Sequence, residues 1–382
     1  MRRFLILASL VAVQACSSPS YVLQRFEQTT PKGLSKAVAH RGCWFREHDG
    51  EFFIPENSTH GIEMAKRFGY PAIELDVKYT KDSVMVVMHD QTINRTMRNA
   101  SDYSKIEKPV KVTETTFEEL RSKYVLESSD PARRTPIPTL EEMLLACRKT
   151  GIIPMLHSKV TESYSLAQKI LGNKWIAFSG VKEEMIKARK ISDCLVLWDP
   201  GERPIDGTVS GLKEIGGWCG MSTMRYKMLD AGYISRLRKK GYEVQASIFP
   251  TPHEQRALHD GVTIELTDFF WHQTNGLVPV DTVSETLVLP DGQFWKSPEL
   301  KAGDFAALTV HLSFKGTLVV KINDYRRVGK TGWKMQPRVY KLHRDTAGEE
   351  VLGVRLYKTA PSFEIQSVGD VSVKVDAAAY AL

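Results

Sequence analysis

From about Lys36 to Asp268, short apolar runs alternate with amphipathic segments, and no other feature restricts the fold as much. The runs are AVAH, AIELDV, VMVVMH, IIPMLH, WIAF, CLVLW, WCGMS, EVQASIF and VTIEL. Between several of them lie THGIEMAKRFG, PTLEEMLLACRKTG, VKEEMIKARK, AGYISRLRKKG and HEQRALHDG, most of which end in Gly, as helix caps do. Alternation of this length predicts an α/β fold, a TIM (β/α)8 barrel. Nine runs compete for the eight places of such a barrel. The gap from Lys78 to Ser83 is too short for a helical crossover, so AIELDV and VMVVMH are expected to pair as an antiparallel hairpin. The second of these then stands outside the regular pattern, and the barrel is a distorted one.

Beyond Gly276 the texture changes. SETLVLPDGQFW, FAALTVHLSF, GTLVVKI, RVYKLHR, EVLGVRLY, FEIQSV and VSVKVDAA are short, alternating and divided by Gly, Asp and Lys. That pattern predicts a small all-β sandwich. The expected division is a barrel over residues 36–277 and a sandwich over 278–382. Trp295, Trp333, Tyr325 and Tyr340 offer either a carbohydrate-binding face or, as is commoner for aromatics in a small β domain, its core.

The chain begins MRRFLILASLVAVQAC: two arginines, an apolar stretch from Phe4 to Val13, then a small residue before Cys16. This is a signal-peptide layout, and the apolar run is too short to span a bilayer permanently. Residues 13–16, VQAC, resemble a bacterial lipoprotein cleavage box, with Cys16 as the lipidated residue and residues 17–35 as a tether. The expectation is a lipoprotein of a bacterial cell envelope, held on a membrane with its folded part in water. Cys43, Cys147, Cys194 and Cys219 have irregular spacing and no staple framework; they are open to disulfides or to a role as small buried apolar residues. The net charge of +7 is scattered, with only short pairs such as Lys239-Lys240. That suits anionic surfaces or phosphate-bearing small molecules better than nucleic acid.

The chemistry gathers between Ala37 and Asp90. On a strand, residues i and i+2 share a face, so Glu74 and Asp76 present two carboxylates side by side. Two like charges so close need a cation or a shared proton, and a hard ion such as Ca²⁺ or Mg²⁺ suits them. His40 is followed by Arg41, whose planar fork suits phosphate, and Gly42, which permits a tight turn. His89-Asp90 ends another apolar run and brings a second imidazole. Two histidines beside a metal site suit the acid and base of reaction at phosphorus.

His40-Arg41-Gly42, Pro55-Glu56-Asn57-Ser58, Glu74-Leu75-Asp76-Val77, Thr80-Lys81-Asp82 and His89-Asp90 resemble the glycerophosphodiester phosphodiesterase family. Asn94-Arg95-Thr96, Phe117-Glu118-Glu119-Leu120, Ile137-Pro138-Thr139-Leu140-Glu141-Glu142 and the run from Gly261 to Asp268 resemble segments that follow in it. The resemblance spans roughly Ala37 to Phe269. It implies His40 and His89 as acid–base pair, Glu74 and Asp76 as metal ligands, Arg41 as phosphate contact, and Glu56 and Asn57 as support. The family's third acidic ligand, two residues before a lysine, falls at His157, while the lysine is kept as Lys159. With His157 in the ligand set, Ca²⁺ and Mg²⁺ lose ground to Mn²⁺ and Zn²⁺. The family's Trp-Thr pair near the substrate falls at Ala246-Ser247, with Phe249 or Trp271 as substitute apolar wall.

The activity implied is metal-dependent hydrolysis of a small-molecule glycerophosphodiester, or a related phosphodiester, to an alcohol and glycerol phosphate, with Arg41 and Lys159 neutralising charge. The alternatives are a catalytically altered barrel that binds a phosphodiester or glycan, and a phospholipase C- or D-like lipid phosphodiesterase. A glycosidase is disfavoured, because carboxylates two apart on one strand stand on the same side of a ligand. Nothing in the sequence sets an oligomeric state.

Overall fold

A computed structural model of the chain describes residues 20–29, 36–47, 50–223, 231–247, 261–268, 278–303, 305–328, 332–357 and 359–381. Eight of the nine apolar runs form parallel strands: β1 (Lys36–Ala39), β2 (Ala72–Tyr79), β3 (Ile153–His157), β4 (Ile176–Ser179), β5 (Leu195–Trp198), β6 (Cys219–Thr223), β7 (Glu243–Ser247) and β8 (Ile264–Thr267). Each pairs with the next, and β1 pairs with both β8 and β2, which closes the ring. The ninth run supplies the short strand Met85–Val87, antiparallel to β2 through Val77↔Val87, Lys78↔Val86 and Tyr79↔Met85. The hairpin expected from the short gap is therefore present, outside the ring.

Helix boundaries follow side-chain chemistry. Helix Thr59–Phe68 starts where the Ser58 hydroxyl accepts from the Gly61 amide and stops at Gly69, whose φ of 78° is left-handed. Helix Leu140–Thr150 opens on a reciprocal pair between Thr139 and Glu142 and closes at Gly151. HEQRALHDG lies almost wholly outside the described residues.

Alternation along each strand separates two cores. Outward residues such as Ile73, Leu75, Leu156, Ala177, Val196 and Val244 pack against the helices. Inward residues, among them Val38, Ala72, Met155, Phe178, Leu197 and Leu266, fill the barrel. That inner core also takes Val22, Leu23 and Phe26 of a helix, α1 (Tyr21–Thr29). Residues 21–29 thus correct the expectation of a tether over 17–35. Val22, Leu23 and Phe26 all point the same way on a helix, and burying Val22 and Phe26 contributes about 1.5–3 kcal/mol each.

Between β2 and β3 the chain makes an excursion from Met85 to Thr139 with a small core of its own, built on Val86, Met88, Ile93, Met97, Val112, Leu120, Leu126 and Ile137. It carries His89, Asp90 and Arg95.

The C-terminal part is all β, with six strands: β9 (Asp281–Leu289), β10 (Phe294–Lys296), β11 (Phe305–Val328), β12 (Gly332–Tyr357), β13 (Phe363–Val368) and β14 (Val371–Ala381). They share one antiparallel sheet in the order β9-β14-β11-β13-β10, with β12 on the other side of β11. Two expected pairs of short strands are each fused into a long one. The break expected after Phe314 is a bulge, with Gly316 at φ 112°, which bends the ladder without ending it. β11 then pairs with β14 through residues 306–314 and with β13 through 317–322. Tyr340 is buried in this core and Trp295 packs edge-on to Phe363, so these two aromatics do not form a carbohydrate-binding face. The side chains of Tyr325 and Trp333 lie outside the description. Among the described residues, no helix is long and apolar enough to cross a membrane.

Candidate active site

The C-terminal ends of β1, β2, β3 and β8 converge on one group of ionisable side chains, joined by His89 from the excursion. Glu74 and Asp76 project from β2 into the barrel, 1% and 4% exposed. Beside them β3 places His157 opposite Asp76 in register. Its Nδ1 is 3.3 Å from Glu74 Oε1 and 3.2 Å from Asp76 Oδ1. Burial opposes a charged imidazole, but the two carboxylates outweigh it and push the His157 pKa up to about 10. The same histidine, with burial again opposing, helps hold the Asp76 carboxyl well below its usual range, with His89 and Arg41 adding to the effect.

The turn after β1 grips this pair. Arg41 has φ 54° and Gly42 φ 75°, two consecutive left-handed residues. In that shape the Arg41 amide donates to Glu74 Oε2 at 2.8 Å and the Gly42 amide to the Glu74 carbonyl at 3.1 Å. A second left-handed residue outside glycine, Asn57 at φ 50°, donates its amide to the Arg41 carbonyl at 2.8 Å. The Asn57 side-chain Nδ2 donates to Asp76 Oδ2 at 3.2 Å, leaving its buried Oδ1 without a partner. Backbone strain at Arg41 and Asn57, of order 1–3 kcal/mol each, is held by these bonds.

Both histidines are backed by acids. His40 donates from Nδ1 to Asp268 Oδ1 at 2.8 Å, and Asp268 lies one residue past β8. Burial lowers the His40 pKa, but Asp268 and Glu74 more than offset this and the net direction is up. His89 donates from Nδ1 to Asp90 Oδ1 at 2.7 Å, while its Nε2 accepts from Arg41 Nη2 at 2.8 Å. Asp90 in turn accepts from Arg95 Nε at 2.6 Å, and Arg95 makes a two-pronged pair with Glu56 at 2.8 and 2.7 Å. Glu56, buried and held ionised by Arg95 and Arg41 against the cost of burial, also meets Arg41 Nη1 at 3.4 Å. It thus aims two arginines at once, although the Arg95 side chain is 36% exposed and the pair is only partly desolvated.

Of the residues expected from the sequence, His40, Arg41, Glu56, Asn57, Glu74, Asp76, His89 and His157 are brought together. Lys159 is not. The strand ends at His157, Ser158 turns into the wall where its hydroxyl meets the Val160 amide and Ser163, and Lys159 is left exposed, with no part in this network. Cys16, Phe249 and Trp271 lie outside the described residues. Cys43, Cys147, Cys194 and Cys219 are buried and in no disulfide among the described residues, as small apolar residues are. Asp90, Arg95 and Asp268 are the additions that the structure makes to the site. Each lay within a recognised motif, but nothing in the sequence reported a contact with Glu56 or His40.

Three donor atoms, one each from Glu74, Asp76 and His157, lie within 4.8 Å of one another. Two buried carboxylates and an imidazole converging this closely fit a divalent cation. In its absence protonated His157 fills the same electrostatic need.

Ionisable groups gather at the C-terminal rim of a closed (β/α)8 barrel, the face on which barrel enzymes carry their active sites. Residues 40–189 match the model of the glycerophosphoryl diester phosphodiesterase family. The glycerophosphodiester phosphodiesterase 1 of Mus musculus is 33% identical over 127 residues, 32% of this chain and 33% of that protein. A glycerophosphodiester phosphodiesterase of Bacillus subtilis is 24% identical over 258 residues, 61% of this chain and 83% of that one. An Oleispira antarctica phosphodiesterase, solved in complex with the product sn-glycerol-3-phosphate, superposes with a TM-score of 0.50 at 19% identity, covering 62% of this chain and 93% of its own. The chain spans about a third of the length of the mammalian relatives it matches. The family match is confined to residues 40–189, within the barrel, and the low-identity structure shows the fold.

A cation must displace the His157 proton, so below pH 10 its apparent affinity is expected to rise with pH, up to tenfold per unit. Calorimetric titration with Mn²⁺ at pH 7, in buffers of different ionisation enthalpy, is expected to show release of about one proton per ion. In His157→Gln that release should disappear; its persistence would exclude His157 as the group displaced.

Proposed function

We propose that this chain hydrolyses a small-molecule glycerophosphodiester, or a related phosphodiester, to an alcohol and glycerol phosphate. The observation that carries this reading is the pair of carboxylate-backed imidazoles, His40–Asp268 and His89–Asp90, set about the Glu74–Asp76–His157 cluster with Arg41 between them. A divalent cation held by Glu74, Asp76 and His157 would polarise a phosphoryl oxygen and offset its developing charge. The two carboxylates favour Ca²⁺ or Mg²⁺, and the imidazole brings Mn²⁺ and Zn²⁺ into competition.

The protein groups divide the remaining work. His89 meets Asp90 through Nδ1, and Arg41 Nη2 donates to its Nε2, which places Nε2 as the acceptor facing the site. We assign it as the base. It takes the proton of the attacking water as the new P–O bond forms, or of a neighbouring substrate hydroxyl, in which case water then opens the resulting cyclic phosphate to glycerol phosphate. Arg41 Nη2 now covers that lone pair; an incoming phosphodiester anion draws the guanidinium away and uncovers it. His40, whose pKa Asp268 raises, is assigned as the acid and gives its Nε2 proton to the departing alcohol oxygen as the old P–O bond breaks. Asp90 and Asp268 fix the tautomers, as a carboxylate on Nδ1 does in other acid–base imidazoles.

Export and anchoring through Cys16 also belong to this proposal, and the support for them is the residue 1–16 layout alone. Cys16→Ser is expected to move the protein from the membrane fraction to the soluble fraction of expressing cells; equal membrane retention of both forms would count against a lipid anchor.

His40→Ala and His89→Ala are each expected to lower kcat for glycerophosphodiesters by about 10²–10⁴-fold, with thermal unfolding unchanged. Near-normal turnover in either variant would overturn the assignment.

A further inference from the structure

In a closed ring of eight strands β2 faces β6 and β3 faces β7, so the wall opposite the acids is made by β6 and β7. Met221, Val244 and Ala246 of these strands belong to the outer core. Alternation then turns Ser222, Gln245 and Ser247 inward. Around them the inner core is mainly apolar, with Val38, Met155, Phe178, Leu197 and Leu266 as neighbours, and Glu243 shares the β7 inward face below Gln245. Ser222 pairs with Gln245, and Ser247 pairs with Leu266, which pairs with Val38, one inward position below His40. With the one-position climb per strand of an eight-stranded barrel, Ser247 comes level with His40 and His157, and Ser222 with Glu74. Gln245 lies one layer beneath, at the bottom of the mouth.

All three are out of solvent: Ser222 and Gln245 are 0% exposed and Ser247 4%. None is satisfied. The hydroxyls of Ser222 and Ser247 and both ends of the Gln245 amide lack a hydrogen-bond partner. Leu or Met would fill the Gln245 position without that penalty, so an amide there serves no packing purpose. An interior of this width lets side chains from opposite walls meet near the axis, which sets these groups across the barrel axis from Glu74, Asp76 and His157.

We propose that Ser222, Gln245 and Ser247 form the floor of a polyol subsite, which holds the hydroxyl groups of the substrate's glycerol moiety; this rests on the phosphodiesterase reading above. An amide that donates through Nε2 and accepts through Oε1 suits a pair of neighbouring hydroxyls, each of which also donates and accepts. Ser222 and Ser247 complete the partners on either side. The subsite selects for a polyol ester and does not act on phosphorus.

The test compares two phosphodiesters, sn-glycero-3-phosphocholine and bis(p-nitrophenyl) phosphate, the second of which has no hydroxyl. In Gln245→Leu the ratio of kcat/KM for the first to kcat/KM for the second is expected to fall about 10- to 100-fold, with a melting temperature equal to or above the parent's. Ser222→Ala should shift the ratio in the same direction by less. Calorimetry with sn-glycerol 3-phosphate and methyl phosphate makes the same comparison without turnover, and Gln245→Leu should weaken the first selectively. An unchanged ratio and unchanged selectivity would mean that the floor holds only water and would overturn the subsite. Equal losses for both ligands would assign Gln245 a structural role and overturn it as well. Selective loss of glycerol phosphate binding in a protein that turns over neither diester would sustain the subsite and sink the hydrolase reading.

Discussion

Two carboxylates buried side by side on one strand are the constraint around which this barrel mouth is built. With oxygens within 4.8 Å of one another, Glu74 and Asp76 would repel each other by at least about 3 kcal/mol at an effective dielectric constant of about 20. Nearly every unusual feature nearby answers that charge. Left-handed Arg41 turns a backbone amide onto Glu74, left-handed Asn57 turns a side-chain amide onto Asp76, and β3 brings the His157 imidazole between the two. The strained turns exist because the acids do, and the acids are tolerable because a cation, a proton on His157 or a metal, sits between them.

The second tier of the site passes through arginines. Glu56 binds Arg95 with both oxygens, Arg95 binds Asp90, and Asp90 orients His89. This chain ties the excursion from Met85 to Thr139 to the barrel rim, so the position of one imidazole depends on a small separate core. His40 depends instead on the last strand, through Asp268. The two histidines are therefore held by opposite ends of the barrel sequence, and ring closure is a condition for their cooperation.

Much of this was legible in the chain. Apolar runs ending in His or acid marked the barrel strands because strand-end residues at a C-terminal rim interrupt an otherwise continuous pattern. The short gap before Ser83 excluded a parallel crossover and forced the hairpin. What escaped has physical reasons. Helix α1 was missed because its nine amphipathic residues follow the leader-like segment directly, where polar flanks read as a tether. The long strands β11 and β12 were divided at Gly316 and near Gly348, since a glycine reads the same whether it ends a ladder or bends it. Lys159 shares a motif with His157, but adjacency did not show that it stands exposed beyond the strand end and outside the hydrogen-bonded group. The unsatisfied amide of Gln245 could be recognised only once its neighbours were known to be apolar.

The central claim is that buried Glu74, Asp76 and His157 form the reaction centre of a phosphodiester hydrolase. It is tested most directly by turnover of purified protein against a set of glycerophosphodiesters, after chelation and then with Ca²⁺, Mg²⁺, Mn²⁺ or Zn²⁺ restored one at a time. The account predicts release of glycerol phosphate that chelation abolishes and at least one of these ions restores. Turnover indifferent to chelation, or none with any of the four ions, would contradict it.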